Sequence, residues 1–131
     1  MEKKGRLVVH QKDQPPIIAS NICYYDFVNP EITGGRSKDL AISAARLEPG
    51  RWTYFHYHDM DEGFYVLKGR VAFEIDGEEH IAEENSAALV PAKAKHKYRA
   101  LGPDYAFVLI IGGADDWRYE GANQNSYKIS E

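Results

Sequence analysis

Cysteine is almost missing from this chain: Cys23 stands alone among 131 residues. A single thiol excludes an intramolecular disulfide framework and fits a reducing compartment, so a cytoplasmic location is expected. Long apolar runs are missing too. The longest, residues 106–111, is far shorter than the ~20 residues that span a bilayer. The opening MEKKGRLVVHQKDQPP offers no apolar stretch fit for a signal peptide, and no membrane partner is expected. Positive charge is not in excess either: 16 Lys and Arg against 20 Asp and Glu leave a net charge of −4. With no basic block, no nucleic-acid partner is expected. There is no internal repeat, no low-complexity segment and no convincing helical period.

What is present suits one globular domain. Hydrophobic residues make up 44% and charged residues 27%, in a chain long enough to bury a core. Turn signals at Pro15-Pro16, Asn29-Pro30, Gly34-Gly35, Pro49-Gly50, Asp76-Gly77, Gly102-Pro103 and Gly112-Gly113 separate short runs rich in β-branched and aromatic residues. These runs read as strands at 7–10, 22–27, 40–47, 52–58, 63–67, 70–75, 79–82, 87–90, 96–100 and 105–111. Many short strands at regular spacing indicate an all-β sandwich or barrel. Residues 1–37 read as an N-terminal arm that packs on the body, 38–113 as the core, and 114–131 as a polar tail carrying Trp117, Tyr119 and Tyr127. A short helical turn is allowed within the last twenty residues.

The chemistry concentrates in residues 50–69. His56 and His58 lie two apart on an expected strand, so both imidazoles point to one face. A short Asp59-Met60-Asp61 connection lets Glu62, opening the next strand, return beside them. Two imidazoles and a carboxylate on one side make a divalent-metal site, and His96 supplies a further imidazole. A lone histidine pair at this spacing also occurs by chance on exposed strands, so the wider spacing matters.

That spacing resembles the first motif of the cupin superfamily, G-x5-H-x-H-x3-E-x6-G, with Gly50, His56, His58, Glu62 and Gly69 all in place. The second motif, G-x5-P-x-G-x2-H-x3-N, is matched at Pro91 and His96, whereas its glycines are Asn85 and Lys93 and its final Asn is Ala100. Asn tolerates positive φ, so Asn85 can serve a turn; at Lys93 a different turn is expected. The missing Asn removes a polar group, not a ligand. The resemblance implies a single-domain cupin-like jelly-roll β-barrel. It also implies one divalent transition metal (Fe, Mn, Ni or Zn) held by His56, His58, Glu62 and His96.

Four protein ligands on a six-coordinate ion leave room for a small-molecule substrate. The reading is a metal-dependent cupin acting on a small organic molecule, with a dioxygenase first. An isomerase, a lyase or a non-catalytic ligand-binding cupin is the alternative. Strand parity places Trp52 and Tyr54 inward with the two histidines, Phe64 and Val66 inward with Glu62, and Tyr98 inward with His96. Tyr54 and Tyr98 are then the candidate catalytic hydroxyls and Trp52, Phe64 and Val66 the pocket lining. Tyr65 faces out, which weakens a lyase that would use a tyrosine base beside Glu62. His10 and His80 read as surface histidines, Arg46 as an outer-face ion-pair former, Cys23 as a small apolar residue, and Asp59 and Asp61 as turn formers. Resemblance to small cupins also implies a homodimer, with arm strands at 7–10 and 22–27 pairing across sheet edges.

Overall fold

The computed structural model describes residues 5–113 and 126–130. Eleven strands form: β1 (Ile17–Ala19), β2 (Ile22–Val28), β3 (Leu40–Leu47), β4 (Phe55–His58), β5 (Glu62–Lys68), β6 (Val71–Ile75), β7 (Glu78–Ala82), β8 (Ala87–Val90), β9 (His96–Ala100), β10 (Ala106–Gly113) and β11 (Ser126–Ser130). The one helical feature among the described residues is a 3₁₀ turn at Gln11–Asp13. No described helix is long and apolar enough to cross a membrane.

The strands build two antiparallel sheets, ordered β1-β2-β3-β10-β5-β8 and β11-β4-β9-β6-β7. The order interleaves early and late strands, as a jelly roll does. The core lies between the sheets, where Phe73, Leu47, Val66, Val71 and Val108 are fully buried. Alternation along each strand creates this layer: β5 buries Phe64 and Val66 while Tyr65 and Leu67 face outward. Asp76 and Gly77, at φ of 50° and 85°, make the two-residue turn that suits the twist of the β6–β7 hairpin.

The two sheets do not close into a continuous barrel, unlike the expectation from the resemblance. Edge strands β7 and β8 stay apart, and a cavity of about 340 Å³ opens between them, floored by Phe73 and Ile75. Residues 7–10 are not a strand; they run irregularly into the 3₁₀ turn. The first strand is instead β1, hairpinned to β2 through Ser20 and Asn21, both at positive φ (51° and 65°). A positive-φ turn without glycine leaves little signal in a sequence. Tyr127 lies on β11, which pairs with β4 where a tail was expected. Trp117 and Tyr119 lie outside the described residues.

A candidate metal centre between the sheets

His56 on β4 and His96 on β9 are direct cross-strand partners, with ring centroids 4.3 Å apart. His58, two residues along β4 on the same face, stands 4.8 Å from His56 and 5.4 Å from His96 by ring centroid. One ligand atom from each of the three lies within 4.8 Å of the others, and all three residues are buried. Glu62 opens β5 in the opposite sheet. Its Oε1 lies 3.6 Å from Nε2 of His58 and 3.6 Å from Nε2 of His96. The four residues expected from the spacing thus converge in space.

Backbone carbonyls orient two of the rings. His56 Nδ1 is 2.7 Å from the carbonyl oxygen of Tyr54, and His96 Nδ1 is 2.8 Å from that of Ala94. A carbonyl only accepts, so each Nδ1 carries the proton and each Nε2 presents its lone pair. Nε2 of His58 and of His96 are buried without a hydrogen-bond partner. An orphaned buried nitrogen is costly, and a divalent cation satisfies several such lone pairs at once. The donor set, three imidazole nitrogens beside one carboxylate, fits Fe, Mn, Ni or Zn.

The electrostatics agree with that use. Burial pushes the His56 imidazole down to about 4, helped by His96 and His58 nearby and opposed by Glu62 and the Tyr54 carbonyl. Burial alone would raise the Glu62 carboxyl. The attraction of the surrounding imidazoles of His58, His96 and His56 outweighs it and holds the group down at about 2. At neutral pH the site therefore presents a neutral His56 and an anionic Glu62.

Around this centre the inward–outward alternation runs regularly along β5 and β9 and breaks before β4. Phe64, Val66 and Tyr98 are buried, and the Phe64 and Tyr98 rings meet at 5.0 Å. Trp52 does not line the interior. Its ring lies against the side chains of Lys97 and Arg99, which alternate outward from the buried His96, Tyr98 and Ala100. Tyr54 is likewise only half-buried, with Lys128 over its ring at 4.0 Å. The cause is one extra residue. His56 pairs with His96, yet Thr53, not Tyr54, exchanges hydrogen bonds with Tyr98: its N–H donates to the Tyr98 carbonyl at 2.9 Å, and its Oγ1 accepts from the Tyr98 N–H at 3.0 Å. Such a bulge switches the facing of everything before it, so the buried residue is Thr53.

Sequence reasoning missed Tyr24, whose hydroxyl lies 3.5 Å from that of Tyr98 in the buried layer. Its place on β2, in step with buried Ile22 and Asp26, is the signal that would have found it. The remaining residues do structural work. Asp61 Oδ1 accepts the Ala92 N–H at 2.8 Å, and Asp59 Oδ2 accepts the Tyr127 hydroxyl at 3.1 Å. Arg46 is paired with Glu48 at 2.9 Å on the outer face, Cys23 is half-buried, His10 is exposed, and exposed His80 sits 3.5 Å from Glu78 at the rim of the β7–β8 cavity.

The turns that hold the ligands share one conformation. Gly50, Gly69, Asn85 and Lys93 have φ of 75°, 84°, 64° and 67°. Lys93 thus keeps the left-handed turn that was expected to differ there, and its N–H donates to the His58 carbonyl at 2.6 Å.

Comparison with known proteins places this geometry. A curated relative, polyketide synthase CurC of Streptomyces cyaneus, is 27% identical over 107 residues, covering 81% of this chain and 68% of the relative. The polyketide cyclase RemF of Streptomyces resistomycificus superposes with a TM-score of 0.73 at 14% identity, over 94% of this chain and 84% of that one. A predicted oxalate decarboxylase of Thermotoga maritima superposes at 0.69 with 18% identity, over 80% and 96%. The model of the cupin domain matches residues 44–112, the span that carries all four converging side chains, and the chain belongs to the cupin family.

Proposed function

We propose that the protein is a metal-dependent cupin enzyme that acts on a small oxygen-bearing organic molecule of polyketide type, promoting enolisation and ring closure. The observation that carries the metal dependence is the pair of buried, unpartnered Nε2 atoms of His58 and His96 facing the Glu62 carboxylate. The substrate class is supported by the curated relative and by the superposed cyclase, both named for polyketide chemistry.

His56, His58, Glu62 and His96 would hold the ion, which when bound supplies Lewis-acid polarisation of a carbonyl. The chain's own residues do the rest. The Nδ1 contacts to Tyr54 and Ala94 keep the rings aimed. The apolar layer of Phe64, Phe73 and Tyr98 excludes water and suits a partly aromatic body. Tyr98 lies on the same face as His96, two residues along, and with Tyr24 offers hydroxyls able to hold a proton at a substrate oxygen. Ring closure of this class removes a proton from a carbon between two carbonyls, joins that carbon to a third carbonyl carbon and releases water. It consumes no oxidant. A dioxygenase reading shares the ligand set and needs iron and O2.

Elemental analysis of tag-free protein beside His58→Ala, followed by assay on a model poly-β-ketone with O2 uptake monitored, tests this. Stoichiometric metal, and anaerobic cyclisation lost at least 100-fold in the variant, is the expected result. Turnover that requires iron and O2 would replace the cyclase by the oxygenase. Metal-free protein that takes up no ion would remove both.

A further inference from the structure

Beside the metal centre the space between the sheets is full, and toward the β7–β8 edge it opens. Phe64, Phe73 and Tyr98 are at most 2% exposed, and their rings meet at 5.0 to 5.5 Å. A molecule larger than a few atoms at the centre has to extend away from this layer. Ile75 on β6 and Ala88 on β8 face the core yet are only partly buried. Both line the cavity of about 340 Å³ that separates β7 from β8. Register ties them to the centre. Ile75 is the cross-strand partner of His96, and Ala88 is that of Phe64, two residues along β5 from Glu62. Such partners have Cβ atoms about 5 Å apart, so a single layer of side chains divides the cavity from the ligands.

The lining says what this space takes. The small side chains of Ala82, Ser86 and Ala87 leave the slot open, Ile81 and Leu89 make its walls apolar, and no carboxylate, lysine or arginine lines it. A slot of this kind suits a flat, neutral, apolar body. One imidazole stands at its mouth. His80 shares the inner face of β7 with buried Ala82 and is the cross-strand partner of Phe73. A ring nitrogen there can bond a hydroxyl or carbonyl oxygen of the occupant.

We propose that the β7–β8 cavity is a specificity subsite: it takes the planar, apolar end of a substrate whose reacting carbonyls lie at the metal centre, and His80 bonds an oxygen at that end. The identity of the substrate rests on the cyclase reading above, whereas the slot and its lining do not. Ile75 is then the divider between the two parts of the site. The strand of His80 lies two strand spacings, ~10 Å, from the strand of His96. That span suits two or three rings placed beyond the reacting carbonyls.

2-Naphthol, a flat apolar body with one hydroxyl, tests the cavity without catalysis. Titrated into the chelated full chain and followed by amide ¹H–¹⁵N spectra, it should shift His80, Ala82, Ala88 and Leu89 saturably. Ala88→Trp fills the slot and should weaken this binding about 10-fold or more. His80→Leu removes the polar contact and should weaken it about fivefold. Glu79→Gln, in register with outward Glu74, should change nothing. In the metal-loaded enzyme, Ala88→Trp should raise KM for a naphthyl-ended poly-β-ketone about 10-fold more than for a methyl-ended one. Shifts confined to other strands, or binding indifferent to Ala88→Trp, overturn the proposal, and the spectra of the unmodified protein decide even if that variant fails to fold. Saturable shifts at β7 and β8 in a protein that takes up no metal would remove the reaction and keep the site. Metal-dependent cyclisation with no shift there would keep the reaction and remove the site.

Discussion

Lys93 shows what a single residue tolerates when its neighbours insist. A left-handed backbone costs a residue with a side chain about 1–2 kcal/mol, yet Lys93 holds φ of 67° because its N–H ties the turn to the His58 carbonyl. Replacing it by glycine removes that strain and restores some unfolded-state entropy, so the two effects partly cancel. Lys93→Gly should therefore raise stability by up to ~1 kcal/mol, read as a Tm increase of a few degrees with metal uptake unchanged. A lower Tm would mean that the lysine side chain contributes contacts of its own. At this scale the site was readable in advance, since alternation on a two-residue spacing fixes which imidazoles converge. Trp52 and Tyr54 were not readable, because parity counts residues and an inserted one is invisible to it.

Among the elements, the junction into β4 deserves a quantitative test because it sets which side chains face the centre. Thr53 is 2% exposed, and its Oγ1 accepts the Tyr98 N–H. Thr53→Val keeps the volume and leaves that N–H without its acceptor, a loss of about 1–3 kcal/mol. Chemical denaturation should show this loss with an unchanged m-value. A neutral result would mean that the backbone pairing alone holds the bulge. Of the other elements, β2 to β10 announced themselves through turn residues and β-branched runs. β1 and β11 did not. The first turns on Ser20-Asn21 without glycine, and the second owes its place to pairing with β4 across a long sequence gap, which local patterning does not encode.

For the molecule as a whole, the site sets stability against function. Three buried imidazoles and a carboxylate are an expensive interior when no cation joins them. In the metal-free protein the folded His56 has its pKa near 4, below the unfolded 6.5. Between these values the unfolded chain takes up a proton that the folded one refuses. Falling pH therefore draws the protein toward unfolding, by up to about 3 kcal/mol at pH 4. Glu62 acts in the same direction lower down. Its folded pKa near 2 lies below its unfolded 4.5, so stability present above pH 4.5 is lost as pH falls toward 2. A bound cation adds RT ln(1 + [M]/Kd), about 4 kcal/mol at a thousandfold excess over Kd, and this addition fades as protons compete for the same nitrogens. Thermal melts of chelated and metal-loaded protein from pH 8 to pH 4 should therefore show a gap of roughly ten degrees or more at pH 8. That gap should narrow toward pH 5 and be absent at every pH in His58→Ala. A gap that persists in the variant would mean that the stabilising ion binds somewhere other than between β4, β5 and β9.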